Sequence, residues 1–134
     1  TGVATRAWHS CAMAIVGIGV DVVDVARFQD VLERSTGIAD RLFTPAEQVR
    51  SAGHRLPAVS LAARFAVKEA VAKALGAPPG MEFHECQVTS EGQPSVTLTG
   101  RLAQHATDLG VTHWHVSISH DGPVAVAYVI AERA

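Results

Sequence analysis

The chain contains short β-branched runs and longer stretches in which apolar residues recur at helical spacing. Residues 14–20 form a β-branched run with two glycines, which predicts a buried strand, closely approached by another backbone or a ligand and ended by Asp21. From Asp24 to about Arg34 the apolar residues recur every three or four positions, which predicts an amphipathic helix. A strand followed by a helix therefore opens the predicted fold.

The middle of the chain carries the longest helical pattern. It begins at Pro57 and ends at Gly76, and between residues 61 and 75 nearly every position is apolar. A short helix is predicted just before this pattern. Thr44 is suited to be its N-cap, a proline follows, and Glu47 lies three residues after the cap. The long helix is therefore expected to lie against the core on most of its sides.

The last third of the chain has the pattern of a β-hairpin, a helix and a second pair of strands. Residues 86–89 and 95–99 flank a turn, residues 101–109 form a helical stretch, and two strands follow, joined by residues 121–123. Helices and hairpins without regular βαβ alternation predict an α+β domain. Its mostly antiparallel sheet is expected to pack against the long helix.

Length and composition indicate one domain over residues 13–134. A chain of 134 residues with 48% hydrophobic composition buries one core and is too short for two ordinary domains. Residues 1–12 have no periodicity and precede Met13, so we interpret them as an N-terminal extension or an expression remnant.

Charge and cysteine content exclude several classes of protein. A net charge of -2 excludes a uniformly basic nucleic-acid binder. The longest uncharged apolar stretch, residues 12–20, is far shorter than the roughly 20 residues of a membrane span. Cys11 and Cys86 have no metal-site spacing and are expected to be free thiols. We therefore predict a cytoplasmic protein without nucleic-acid or membrane partners.

Two carboxylates are candidates for a metal site. Glu69 and Lys73 lie one turn apart on the long helix and form either a surface ion pair or part of a metal and phosphate site. Asp21 is either a turn former or helix cap, or else a second metal ligand. Mg²⁺ binds one or two carboxylates and completes its coordination with water and phosphate oxygens. Asp21 and Glu69 together are therefore suitable ligands for it.

A histidine ends the apolar stripe of the penultimate strand. Strand alternation over residues 114–120 places His120 on the same face as the apolar residues, and Ser117 and Ser119 on the other. His120 is therefore either a hydrogen-bonded structural residue or a catalytic one. Asp121, which follows it, either orients the histidine or forms an Asp-Gly turn.

Three ordered motifs together resemble the holo-acyl-carrier-protein synthase family, a group of 4'-phosphopantetheinyl transferases. They are residues 17–21 (GIGVD), residues 64–74 (RFAVKEAVAKA) and residues 117–120 (SISH). The resemblance extends from Met13 to the C-terminus. It implies transfer of the 4'-phosphopantetheine group from coenzyme A to a serine of an apo acyl carrier protein, in fatty acid or polyketide biosynthesis.

The resemblance also implies roles for particular residues. Asp21 and Glu69 are the expected Mg²⁺ ligands, Lys73 is expected to face the phosphates, and Arg64 and His120 are expected along the coenzyme A site. Glu69, Lys73 and His120 are thus the expected catalytic residues. The base that accepts the serine proton stays open between Glu69, His120 and a metal-bound water.

Family resemblance further implies a homotrimer with active sites between neighbouring subunits. It places the first helix against the carrier protein through Arg27 and Arg34. Because acidic residues are interleaved with these arginines, a helix with only internal ion pairs is the alternative interpretation. Two alternatives to a free-standing enzyme are a non-catalytic nucleotide or carrier-protein binder and a transferase domain excised from a larger synthase.

Overall fold

The computed structural model describes residues 13–50, 53–90 and 92–134. The predicted extension at residues 1–12, with Cys11, lies outside the described residues. None of the helices in the described ranges has the length and hydropathy needed to cross a lipid bilayer.

Five strands and four α-helices account for most of the described ranges. In chain order they are β1 Ala14–Asp24, α1 Val25–Arg34, α2 Ile38–Leu42, α3 Ala58–Ala74, β2 Cys86–Thr89, β3 Ser95–Leu98, α4 Gly100–Asp108, β4 His113–Asp121 and β5 Val124–Arg133. Two short 3-10 helices lie at Pro45–Gln48 and Phe83–Glu85.

The strands form two antiparallel sheets. β1, β5 and β4 make a three-stranded sheet in the order β1-β5-β4, and β2 pairs with β3 in a separate hairpin. Helix α3 packs across the three-stranded sheet, where alternate residues of β5, including Ala127 and Val129, are fully buried. The predicted α+β fold, with an antiparallel sheet packed against the long helix, is confirmed.

The opposite face of the three-stranded sheet is apolar and exposed. Ile18 and Val22 on β1 are 57% and 60% exposed, and Tyr128 on the central strand β5 is 55% exposed. An apolar surface of this kind on a sheet is unusual for an isolated protein and is typical of a contact surface.

Strand β1 and helix α3 touch through their backbones. A Cβ atom added at Gly17 would lie 1.8 Å from the Ala74 carbonyl oxygen, and one added at Gly19 would lie 1.8 Å from that of Ala70. Only glycine fits at such a distance. The prediction that another backbone closely approaches residues 14–20 is therefore confirmed. The prediction that this strand is buried is wrong, because Ile15, Ile18 and Val20 on its other face are exposed.

Some predicted boundaries are wrong. β1 does not end at Asp21 but continues to Asp24, because its backbone still pairs with β5, with Asp21 opposite Ala127. The helix predicted after Thr44 is only a 3-10 helix, although its capping box is present. Helix α2 was not predicted, since a five-residue helix has too few apolar positions to show a period.

Candidate active site

Asp21 and Lys73 meet where β1 passes the C-terminal half of α3. The Lys73 Nζ atom donates to Asp21 Oδ1 at 3.0 Å and to the Val20 carbonyl oxygen at 3.0 Å. The Asp21 side chain is 17% exposed and that of Lys73 is 51% exposed. Within the described residues Lys73 thus pairs with Asp21, and the alternative of a surface ion pair between Glu69 and Lys73 is wrong.

Glu69 lies one helical turn before Lys73 and is half-buried. Burial raises the pKa of its carboxyl group, the nearby Asp21 carboxylate raises that pKa further, and Lys73 partly offsets the rise. Two carboxylates are therefore compensated by one ammonium group. A hard divalent cation would relieve this excess of negative charge, so the donor set suits Mg²⁺.

A cavity of about 370 Å³ joins these carboxylates to an apolar wall. Asp21 and Glu69 line it together with Phe28, Phe65 and Arg27. The rings of Phe28 and Phe65 stack with their centroids 5.2 Å apart. Arg27, one of the two predicted docking residues, thus belongs to the same cavity as the predicted metal ligands.

Arg34, the second predicted docking residue, is exposed in the last turn of α1. It lies seven residues beyond Arg27, and this spacing keeps the two side chains on one helix face. Arg34 does not line the cavity of Asp21 and Glu69.

Arg64 and His120 line a second, smaller cavity of about 210 Å³ with Ser60, Ser90 and Pro94. The Arg64 guanidinium is buried and donates to the Val88 carbonyl oxygen at 2.5 Å and to Ser90 Oγ at 2.9 Å. His120 is exposed near the end of β4. Among the residues that the structure describes, the two cavities share no lining residue, so one chain presents the predicted site residues in two separate groups.

A buried ion pair one helical turn after Arg64 was not predicted from the sequence. Lys68 Nζ lies 2.8 Å from Glu47 Oε1, and the two side chains are 0% and 1% exposed. A lysine in a helix that is apolar on almost every side was a signal that its charge needed a buried partner. The sequence pattern explained Glu47 as part of the capping box with Thr44 and gave no indication that its carboxylate also pairs with Lys68.

Cys86 is expected to resist thiol reagents in the native protein. Its thiol is fully buried, and burial raises its pKa to about 12. At pH 8 the thiolate fraction is then roughly a thousand-fold lower than for an unshifted thiol. Mass spectrometry after iodoacetamide treatment of a Cys11→Ser variant should detect labelling of Cys86 in denaturant only. Rapid labelling without denaturant would contradict the prediction.

Comparison with known proteins gives consistent matches over most of the chain. The family model of the 4'-phosphopantetheinyl transferase superfamily matches residues 17–129. A holo-[acyl-carrier-protein] synthase of Micrococcus luteus is 56% identical over 123 residues, which cover 89% of this chain and 93% of that relative.

Solved structures give the same result. The holo-ACP-synthase from Plasmodium yoelii has a TM-score of 0.80 at 25% identity, covering 92% of this chain and 98% of its own. The complex of the Chronobacterium ammoniagenes synthase with coenzyme A has a TM-score of 0.76 at 30% identity, with the same coverage.

Proposed function

The chain belongs to the holo-[acyl-carrier-protein] synthase family of 4'-phosphopantetheinyl transferases, and we propose that it transfers the 4'-phosphopantetheine group of coenzyme A to a serine of an apo acyl carrier protein. The observation that carries this proposal is the convergence of Asp21, Glu69 and Lys73 from β1 and α3, with the two carboxylates lining one cavity. The proposal retains a cytoplasmic location, with which the buried free thiol of Cys86 is compatible.

Asp21 and Glu69 would hold Mg²⁺ in this proposal, and the ion would neutralise charge on the pyrophosphate of coenzyme A. Lys73 already contacts Asp21 and is half-exposed, so its ammonium group can turn to a phosphate oxygen without being taken out of a buried environment. Together the ion and Lys73 would stabilise the negative charge that develops during phosphoryl transfer.

The reaction itself requires no nucleophile from the enzyme. The serine oxygen of the carrier protein forms a bond to the β-phosphorus, which carries the pantetheine arm, while the bond from that phosphorus to the bridging oxygen breaks. Adenosine 3',5'-bisphosphate leaves with the bridging oxygen, and the serine proton passes to a base. Glu69 and His120 are the protein groups available as that base. Alignment and charge stabilisation supply most of the acceleration.

A homotrimer would explain why one chain presents the site residues in two separate cavities. In this arrangement the Arg64–His120 cavity of one subunit faces the Asp21–Glu69 cavity of its neighbour, and coenzyme A lies between them. The exposed apolar face of the three-stranded sheet supplies a surface for the subunits to pack against.

Replacing Ile18 with aspartate should therefore dissociate the oligomer. Ile18 is 57% exposed on the apolar sheet face, so its substitution costs little in an isolated subunit but places a charge in the proposed interface. Light scattering after size exclusion should give a trimer for the parent protein and a monomer for Ile18→Asp, with activity falling in parallel. A monomeric parent protein would contradict the prediction.

Charge reversal at Arg27 should weaken carrier-protein binding specifically. Arg27 is exposed on α1 and lines the Asp21–Glu69 cavity, where an acidic carrier surface would be attracted to it. We expect Arg27→Glu to raise the KM for the carrier protein about 10-fold or more and to reduce its dependence on salt. The KM for coenzyme A should stay the same, and an equal rise in both constants would contradict the docking role.

The proposed function is tested by the intact mass of an apo acyl carrier protein incubated with this protein, coenzyme A and Mg²⁺. The expected result is a gain of one phosphopantetheine group that is absent with EDTA and with a Glu69→Ala variant. If several carrier proteins gain no mass while coenzyme A still binds, the chain is a binding module and the enzymatic proposal fails.

A further inference from the structure

Lys68 is a charged side chain buried in the centre of the fold. It lies on α3, one turn after Arg64, and its side chain is 0% exposed. Its ammonium group donates to Glu47 Oε1 at 2.8 Å, to the Phe83 carbonyl oxygen at 2.8 Å and to the Cys86 carbonyl oxygen at 2.6 Å. All three donor positions are used, so α3 is joined to the two 3-10 helices and to the start of β2.

Glu47 completes the connection from the other side. Its Oε1 atom accepts the Thr44 N–H at 2.9 Å as well as the Lys68 ammonium, and its Oε2 atom accepts the Val88 N–H at 2.8 Å. The carboxylate thus bonds both to the N-cap residue of its own 3-10 helix and to β2.

Val88 is consequently held at both of its backbone polar groups. Glu47 accepts its N–H, and Arg64 donates to its carbonyl oxygen. Over the described residues the β2–β3 hairpin forms no ladder with the three-stranded sheet, and side-chain contacts of this kind connect it to α3 and to Glu47. The hairpin connection carries Ser90 and Pro94, which line the cavity shared by Arg64 and His120.

We propose that Glu47 and Lys68 are positioning residues for coenzyme A binding. They fix Val88 against α3, and Val88 in turn fixes the direction of the Arg64 guanidinium at the cavity that contains His120. A buried ion pair is weak evidence for stability, because apolar residues of similar volume commonly stabilise a core as well. Directional bonds, in contrast, define the position of a backbone that packing alone would leave free to shift.

This inference rests on the proposed function in one respect, namely that the Arg64–His120 cavity takes part of coenzyme A. The experiment therefore measures the dissociation constant of coenzyme A by titration calorimetry beside the kinetic constants. Glu47→Gln retains an acceptor but removes the charge. We expect it to raise both the dissociation constant and the KM of coenzyme A about 10-fold, with kcat changed less than about 3-fold.

A double-mutant cycle with Arg64→Ala separates positioning from stability. If Glu47 acts through Arg64, Glu47→Gln should have little further effect on coenzyme A affinity once Arg64 is removed. Its effect on the melting temperature should persist in both backgrounds. A matched control is Glu85→Gln, because the Glu85 carboxylate also accepts a backbone N–H, but that of Arg101, at 2.7 Å, and not that of Val88. Glu85→Gln should leave coenzyme A affinity unchanged.

A lower melting temperature with unchanged coenzyme A affinity in Glu47→Gln would overturn the proposal, as would an unchanged affinity in Arg64→Ala. If circular dichroism shows that Glu47→Gln is unfolded, Glu47→Asp, which keeps the charge but has a shorter side chain, replaces it in the cycle.

The parent protein distinguishes this proposal from the proposed function. If the variants change coenzyme A affinity as expected but the parent protein transfers no phosphopantetheine, the positioning role is supported and the proposed function is refuted. A parent protein that does not bind coenzyme A overturns both.

Discussion

Replacing Glu69 with glutamine is expected to abolish transfer and, at the same time, to make the ligand-free protein more resistant to heat. Glu69 is half-buried beside Asp21, and both burial and that carboxylate raise its pKa. The amide cannot supply the charge that a Mg²⁺ ligand needs, so kcat/KM should fall at least about 10²-fold. Intact-mass time courses of the carrier protein measure this loss.

The expected gain in stability depends on pH. The folded protein holds the Glu69 proton more tightly than the unfolded chain does, because the folded pKa is the higher one. Ionisation of Glu69 therefore lowers the free energy of unfolding as the pH rises through the folded pKa, and glutamine avoids that loss. The stabilisation by Glu69→Gln should be present at pH 7 and shrink toward about pH 4, where glutamate is protonated.

Differential scanning fluorimetry at both pH values, with EDTA present, tests this pH dependence. Glu82→Gln is the matched control, because Glu82 is exposed and its replacement should change neither activity nor melting temperature. A Glu69→Gln variant that melts earlier than the parent protein at pH 7 would show that the carboxylate is stabilising in the folded state.

The largest loss of stability is expected from Lys68→Met. The substitution leaves the Glu47 carboxylate buried without its charge partner and deprives the Phe83 and Cys86 carbonyl groups of their donor. Removing one partner of a buried ion pair costs about 3–5 kcal/mol. Urea unfolding followed by circular dichroism should give a change of that size in the free energy of unfolding.

Lys73→Met is the matched control, since Lys73 is the other lysine of α3 and forms a half-exposed ion pair with Asp21. Such pairs contribute about 0–1 kcal/mol. The double variant Glu47→Leu with Lys68→Met should recover part of the loss, although the Thr44 and Val88 N–H groups then lack an acceptor. A loss below about 1 kcal/mol for Lys68→Met alone would show that the buried pair is dispensable.

Local patterns along the chain predicted most of the fold. The two glycines of β1 indicated a close backbone contact, and the period of residues 61–75 indicated a helix covered on almost every side. Both predictions rest on residue types and spacings that can be read within one short segment, although the contacts that fulfil them come from distant parts of the chain. The continuation of β1 past Asp21 could not be predicted, since it depends on pairing with β5, more than 100 residues away.

Part of the candidate site was also predictable from short local motifs. Motifs on β1 and α3 indicated Asp21, Glu69 and Lys73, but not that Lys73 contacts Asp21 in preference to Glu69. The pair of Glu47 and Lys68 was missed, because the two residues lie 21 positions apart in the sequence and no local period relates them. Which cavity each residue lines likewise depends on tertiary packing.

The backbone contact at Gly17 and Gly19 has a consequence for the energetics of ligand binding. It holds β1 and α3 at a separation that neither element can change without breaking van der Waals contact. Asp21 lies two residues beyond this contact, and Glu69 precedes Ala70, which forms part of it. The two carboxylates are thus preorganised, so little conformational entropy remains to be lost when a ligand joins them.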